Sequence, residues 1–147
     1  MIEIKIMDIE QTIELIKNLH EGQYDKQGVT YYKHPVKVME RLKNKTINED
    51  VLIAALLHDV FEDTNTSSQD LKNYGFSSYA IFLVETLTRN INETYKEFIE
   101  RIISTNNDAI MIKIADMDEN LNSSRGDLPS SLKKRYVKNY EKLVNAL

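Results

Sequence analysis

The chain predicts an all-α fold, a bundle of about seven to eight helices. Three observations predict it. Gly (4) and Pro (2) are scarce in 147 residues, which leaves few tight turns and favours long helices. Apolar residues recur at three- and four-residue spacing over most of the length. Two runs are apolar nearly all round, which marks helices buried on most sides. One is Val51, Leu52, Ile53, Ala54, Ala55, Leu56 and Leu57; the other is Ala109, Ile110, Met111, Ile112, Ile114 and Ala115. Only residues 1–6 alternate Ile with Glu and Lys, and a run that short is weakly strand-like or an extended arm.

Each helix has its own signals. Asp8 is an expected N-cap for a helix through about His20, with Ile9, Ile13, Ile16 and Leu19 on one face. Gly22 and Gly28 bracket a polar loop. Pro35 suits the first turn of a second helix through Val36, Val38, Met39 and Leu42, placing His34 at the N-cap or just before it. Asn48 opens the central apolar helix, with Glu49 and Asp50 in the first turn where the helix dipole favours them. Ser67 or Ser68 caps a short helix that Gly75 ends. A helix follows from Ser77 to about Thr88, then one expected to be capped by Asn92. The latter's stripe of Tyr95, Phe98, Ile99, Ile102 and Ile103 reads as core. Asn107 or Asp108 starts the second apolar run, which is expected to emerge at Asp116. Ser130 or Ser131 caps a last helix that seals the bundle with Leu132, Tyr136, Tyr140, Leu143 and Leu147.

Composition narrows the function. One domain over residues 1–147 is expected, since no repeat or linker divides the chain. Net charge of −4 gives no electrostatic case for nucleic-acid binding. No apolar stretch approaches the roughly 20 residues that span a membrane, and Met1 to Ile6 is too short and charged for a signal peptide. Cys is absent, so thiolate metal sites and thiol nucleophiles are excluded, and a reducing, cytoplasmic location is expected.

The chemistry concentrates where the central apolar run ends. His58 and Asp59 are adjacent there, and Glu62 and Asp63 follow one helical turn later, on the same faces. Carboxylates oppose the negative end of the helix dipole, so a merely solvated acidic turn is badly placed. A buried helix ending in four ionisable groups is costly without a cation, and a divalent metal supplies one. His34, His58, Asp59 and Asp116 form a candidate ligand set of imidazole and carboxylate, suited to Mn, Fe, Co, Zn or Mg. Such an ion lowers the pKa of a water toward neutrality and polarises a phosphoryl oxygen. Glu62 and Asp63 could then orient or deprotonate that water. Taken alone, His34 reads as a capping or exposed histidine, and His20 as a packed structural one.

The ordered set His34, His58-Asp59 and Asp116 resembles the HD-domain metal-dependent phosphohydrolases. Within them it resembles the alarmone hydrolase branch, that is, the hydrolase domain of RelA/SpoT-type enzymes and the small stand-alone alarmone hydrolases. The phrases that carry the likeness are His20, Gly22, Gln23 and Tyr31-x-x-His34-Pro35, then Leu57-His58-Asp59-x-x-Glu62-Asp63-Thr64, then Lys113, Ala115, Asp116, Asn120 and Leu121. They span roughly residues 12 to 123. The resemblance implies an HD-domain bundle and one Mn²⁺-like ion on His34, His58, Asp59 and Asp116. Glu62 and Asp63 would serve the nucleophilic water. Lys26, Asn120 and Ser123, the last in place of a family threonine, would contact the nucleotide. The implied reaction removes pyrophosphate from the 3′ position of guanosine tetra- or pentaphosphate, giving GDP or GTP.

Departures fall on the substrate side. Asp25 stands where the family has its first basic residue, and Met117 and Glu119 replace positions usually basic and His or Tyr. Arg125 could restore a phosphate contact, or be a solvated loop arginine. Two alternatives therefore accompany the main reading: an HD phosphohydrolase of another nucleotide or phosphoester, and a catalytically silent nucleotide-binding module. Tyr136 and Tyr140 offer exposed rings for a possible homodimer.

Overall fold

Capping and burial together build an all-α bundle in the computed structural model, which describes residues 7–122 and 130–147. The described residues form nine helical segments in the order α1 (Ile9–Leu19), α2 (Lys33–Leu42), α3 (Glu49–Leu57), α4 (Val60–Asp63), α5 (Ser68–Tyr74), α6 (Ser78–Thr86), α7 (Tyr95–Thr105), α8 (Asn107–Asn122) and α9 (Ser130–Ala146). The count exceeds the expected seven to eight because the central apolar run and its acidic tail are two segments, α3 and the single turn α4. Residues 1–6, read as a strand or arm, lie outside the described residues.

Most starts follow the expected local chemistry. The Asp8 carboxylate accepts from the Gln11 backbone N–H at 2.7 Å, and the Gln11 side chain accepts in return from the Asp8 N–H, a capping box. Asn48 caps α3 and Ser67 caps α5. Gly75 ends α5 at φ 101°, a left-handed conformation that only glycine adopts cheaply. Two starts differ. Thr94, not Asn92, caps α7, because Glu97 three residues later completes its capping box. The second helix begins at Lys33, so His34 sits inside the first turn rather than at the cap.

α3 is the axis of the core. Val51 through Leu57 are all buried, most of them completely. α2, α1 and α6 pack around it, and α2 also packs along α8. Leu56 and Leu57 are fully enclosed. Leu56→Ala is therefore expected to cost about 2–5 kcal/mol of stability. Urea unfolding should show this as a lowered midpoint with an unchanged slope.

Two corrections concern the far end of the bundle. α8 does not stop at Asp116 but runs on to Asn122, so Asp116 lies in mid-helix. Its charge is matched from within the bundle, so the helix has no need to end there. The Tyr136 and Tyr140 hydroxyls are also committed. Tyr136 donates to the Met117 carbonyl at 2.9 Å and Tyr140 to Asp118 Oδ1 at 2.7 Å, tying α9 to α8. Both rings are half-buried against the core rather than exposed.

Candidate metal and active site

The site forms where three elements converge: the first turn of α2, the break between α3 and α4, and the middle of α8. The break departs from expectation, since by periodicity the stretch is one continuous helix. Asp59 leaves the helical range at φ −104°, ψ 1°. His58 Nδ1–H donates to the carbonyl of Ala55 at 2.6 Å, closing the last turn of α3 with a side chain. The bend turns His58 and Asp59 inward together, whereas one straight helix would set them about 100° apart.

Four candidate ligands meet there. One ligand atom from each of His34, His58 and Asp59 lies within 4.8 Å of the others. Asp116 Oδ1 is 2.7 Å from His34 Nε2 and 3.3 Å from His58 Nε2, and Asp59 Oδ2 is 3.1 Å from His58 Nε2. These separations are close to what one ion bridges with bonds of about 2.1 Å.

A physical argument says that a cation fits. His58 Nε2 is buried and has no hydrogen-bond partner, because its close carboxylate neighbours are at ion-pair distance without hydrogen-bond geometry. Since Nδ1 carries the proton given to Ala55, a neutral His58 aims a lone pair at two carboxylates. Either a second proton or a metal must relieve that arrangement. The electrostatics agree. Burial alone would lower the His58 pKa, but Asp59 and Asp116 raise it well above the ordinary histidine value. Burial alone would raise Asp59, but His58 lowers it to about 2. Against the same burial, Lys113 first and then His34 and His58 hold Asp116 well below the usual carboxylate range.

A pH dependence follows. In metal-free protein the folded His58 pKa lies above its unfolded value of about 6.5. The imidazolium's contribution to stability is then fully present below about pH 6.5 and lost as pH rises through the folded value. A bound metal displaces that proton. Stabilisation by Mn²⁺ is therefore expected to grow with pH, and metal affinity to fall on acidification. Thermal melts with and without Mn²⁺ between pH 6 and 9 check this; a metal-induced rise in Tm that is flat or larger at the acid end contradicts it.

Other residues surround the candidate ligands. Tyr31 donates its hydroxyl to Asp59 Oδ2, and burial followed by the Asp59 charge pushes its pKa far up, so it remains a donor. Lys113 Nζ holds Asp116 Oδ2 at 3.0 Å and lies over the rings of Phe98 and Tyr95. Burial would lower the Lys113 pKa, but Asp116 raises it, so the ammonium stays charged. A cavity of about 170 Å³ is bounded by His58, Asp59, Asp116, Glu62, Arg89 and Lys113 among others. Glu62 Oε1 accepts the Arg89 backbone N–H at 3.0 Å, which fixes the carboxylate on the cavity wall.

Several expected positions stand elsewhere. Asp63 does not line the cavity; its carbonyl accepts from Gln23 Nε2 at 2.8 Å, and burial, then Asp59, raise its carboxyl pKa. Lys26 is exposed on the loop between α1 and α2 and does not line the cavity either. Asn120 Nδ2 reaches Asp116 Oδ1 at 3.5 Å, so it touches a candidate ligand. Ser123 and Arg125 lie outside the described residues. His20 is buried, as expected, with Nδ1 2.8 Å from Gln23 Oε1.

The departures from the family pattern also have local causes. Asp25 Oδ1 accepts the backbone N–H groups of Gln27 at 2.8 Å and Val29 at 3.0 Å, closing a turn that no basic side chain could close. Met117 is fully buried in the core, and Glu119 accepts from Arg41 Nε on α2 at 2.7 Å. Neither lines the cavity, so those two substitutions leave its walls unchanged.

Lys113 and Tyr31 fall within the sequence motifs, but the sequence alone assigns them no role. The usable signal is helical spacing, since Lys113 precedes Asp116 by three residues and Tyr31 precedes His34 by three. Arg89 has no local signal, because only tertiary packing brings it to Glu62.

Two histidines and two carboxylates gathered inside an all-α bundle form the candidate metal site of a helical domain of the HD type. The chain belongs to the HD domain family, which matches residues 12–111. Its relatives include the guanosine-3′,5′-bis(diphosphate) 3′-pyrophosphohydrolase of Aquifex aeolicus, 31% identical over 78% of this chain and 17% of the relative. They also include the bifunctional (p)ppGpp synthase/hydrolase SpoT of Escherichia coli K12, 32% identical over 99% of this chain and 22% of the relative. The chain thus spans about a fifth of the length of these curated relatives. The fold is similar to the solved structure of a metazoan ortholog of SpoT that hydrolyzes ppGpp. There the TM-score is 0.78 and the identity 27%, over 93% of this chain and 83% of that one.

Proposed function

We propose that this domain is a metal-dependent phosphohydrolase that removes pyrophosphate from the 3′ position of guanosine tetra- or pentaphosphate. The observation that carries this is the composition of one small cavity, whose walls hold three of the four candidate ligands (His58, Asp59 and Asp116), the Glu62 carboxylate and two cations, Arg89 and Lys113. The reactions named for the relatives support the substrate.

When bound, Mn²⁺ or another divalent ion on His34, His58, Asp59 and Asp116 supplies Lewis acidity for a phosphoryl oxygen and acidity for a nearby water. The chain's own groups do the rest. Glu62, held by the Arg89 N–H, faces the cavity and takes the water's proton. Asp63, one residue on and off the cavity wall, serves as a second proton acceptor. Lys113 and Arg89 sit where negative charge develops on the phosphoryl oxygens. The water oxygen bonds to the phosphorus attached at the 3′ oxygen, the bond from that phosphorus to the 3′ oxygen breaks, and the 3′ oxygen gains a proton as pyrophosphate leaves. A cavity of about 170 Å³ is smaller than the roughly 300 Å³ or more of whole-ligand pockets, so it fits a diphosphate end with the nucleoside outside.

A second reading, hydrolysis of another nucleotide or phosphoester, draws on Asp25, whose carboxylate builds a turn where the family has a cation. A nucleotide panel with Mn²⁺, scored for pyrophosphate and orthophosphate separately, tests both. Pyrophosphate from the 3′-diphosphate alone supports the first reading; orthophosphate from a monophosphate supports the second; tight binding without turnover sinks both.

A further inference from the structure

Outside the candidate active site, four cations gather around one cleft. Lys96 on α7 and Arg135, Lys138 and Lys142 on α9 line a cleft of about 320 Å³ together with Tyr95 and Asn139. No acidic side chain lines it. Lys142 is 3.9 Å from Glu100, while Lys96, Arg135 and Lys138 have no ion-pair partner among the described residues. The chain as a whole is acidic at −4, so this is a local reversal of sign. Like charges facing one cleft repel each other, and an anion between them turns that repulsion into attraction. Asn139 is buried, at 8% exposure, and lines the same space with an amide able to donate. Tyr95 lines both this cleft and the catalytic cavity, with the Lys113 ammonium 5.9 Å from its ring. The two spaces therefore share one lining residue.

We propose that the cleft between α7 and α9 is a second anion site that takes phosphate groups, either those of a nucleotide or inorganic pyrophosphate. Phosphate chemistry matches the lining: a guanidinium fork and three ammonium groups suit several oxygens carrying more than one charge. A singly charged carboxylate would leave most of the cations unmatched. The site does not depend on the hydrolase reading, because it is defined by anion binding and not by turnover.

The test is a titration of inorganic pyrophosphate into isotope-labelled, Mg²⁺-loaded protein with Mg²⁺ in excess, followed by amide NMR. Saturable shifts are expected at Lys96, Arg135, Asn139 and Lys142. The double charge reversal R135E/K138E changes two exposed positions and is expected to weaken binding at least about tenfold. The charge-neutral variant K96Q/K142Q should give an intermediate loss, and melting curves verify that both fold. Repeating the titration with guanosine tetraphosphate on Asp59→Asn separates the sources. The same amides responding, together with a raised KM and unchanged kcat in R135E/K138E, places the substrate's phosphates in the cleft. A response to pyrophosphate alone makes it a site for the free anion. Shifts confined to the surroundings of His58 and Asp59, or equal affinity in the charge-reversed protein, overturn the proposal. Absence of turnover on every nucleotide would defeat the hydrolase reading and leave these outcomes untouched.

Discussion

Asp59→Asn is expected to lower divalent-metal affinity at least about 100-fold, more than partners outside the ligand set typically cost, and to abolish turnover with it. The reason is electrostatic as well as geometric. Asp59 Oδ2 is 3.1 Å from His58 Nε2 and accepts the Tyr31 hydroxyl. Replacing the carboxylate with an amide removes half of the anionic charge supplied by Asp59 and Asp116. It also puts either an amide N–H or a neutral oxygen opposite Tyr31. The fold should survive with a lowered Tm, because the apolar core around α3 is untouched while the attraction between Asp59 and a protonated His58 is lost in metal-free protein. Metal titration by calorimetry and a thermal melt of the same sample check both halves. Wild-type metal affinity in this variant would remove Asp59 from the ligand set.

Glu62→Gln is the second large effect, and it separates proton handling from metal holding. Glu62 is not among the candidate ligands; it stands on the cavity wall with one carboxylate oxygen accepting the Arg89 N–H at 3.0 Å. Glutamine keeps that hydrogen bond through its carbonyl oxygen but cannot accept a proton at neutral pH. Metal affinity should stay within a few-fold of wild type, while kcat falls about 10²- to 10⁴-fold, the range for a lost general base. Asp63→Asn should cost less, since Asp63 does not line the cavity. If Asp63→Asn is the more damaging change, the two carboxylates have exchanged roles.

Much of the fold and the site is legible in the residues, and the misses share a cause. Helix identity comes from caps and periodicity, which are local: Asp8, Asn48, Ser67 and Gly75 do what their chemistry requires. The clustering of the candidate ligands is legible because imidazoles and carboxylates at the edges of two apolar runs are costly to bury unless a cation joins them. Events decided by distant partners are not legible. α8 continues past Asp116 because Lys113, His34 and His58 neutralise that carboxylate inside the bundle. The helix breaks at Asp59 where the His58 side chain takes a backbone carbonyl and turns both groups toward α2 and α8. Arg89 reaches the site only through the packing of the segment after α6 against α4. Met117 and Glu119 look like changes to the substrate pocket from sequence position alone, yet one fills the core and the other pairs with Arg41.

Metal-dependent release of the 3′-diphosphate group is the reaction on which the proposed mechanism stands. Guanosine tetraphosphate incubated with Mn²⁺-loaded protein, with products separated by anion-exchange chromatography, should give GDP and pyrophosphate in equal amounts. Neither should appear after chelation or with Asp59→Asn. Orthophosphate as the product, or intact substrate beside protein shown to hold its metal, would contradict that mechanism.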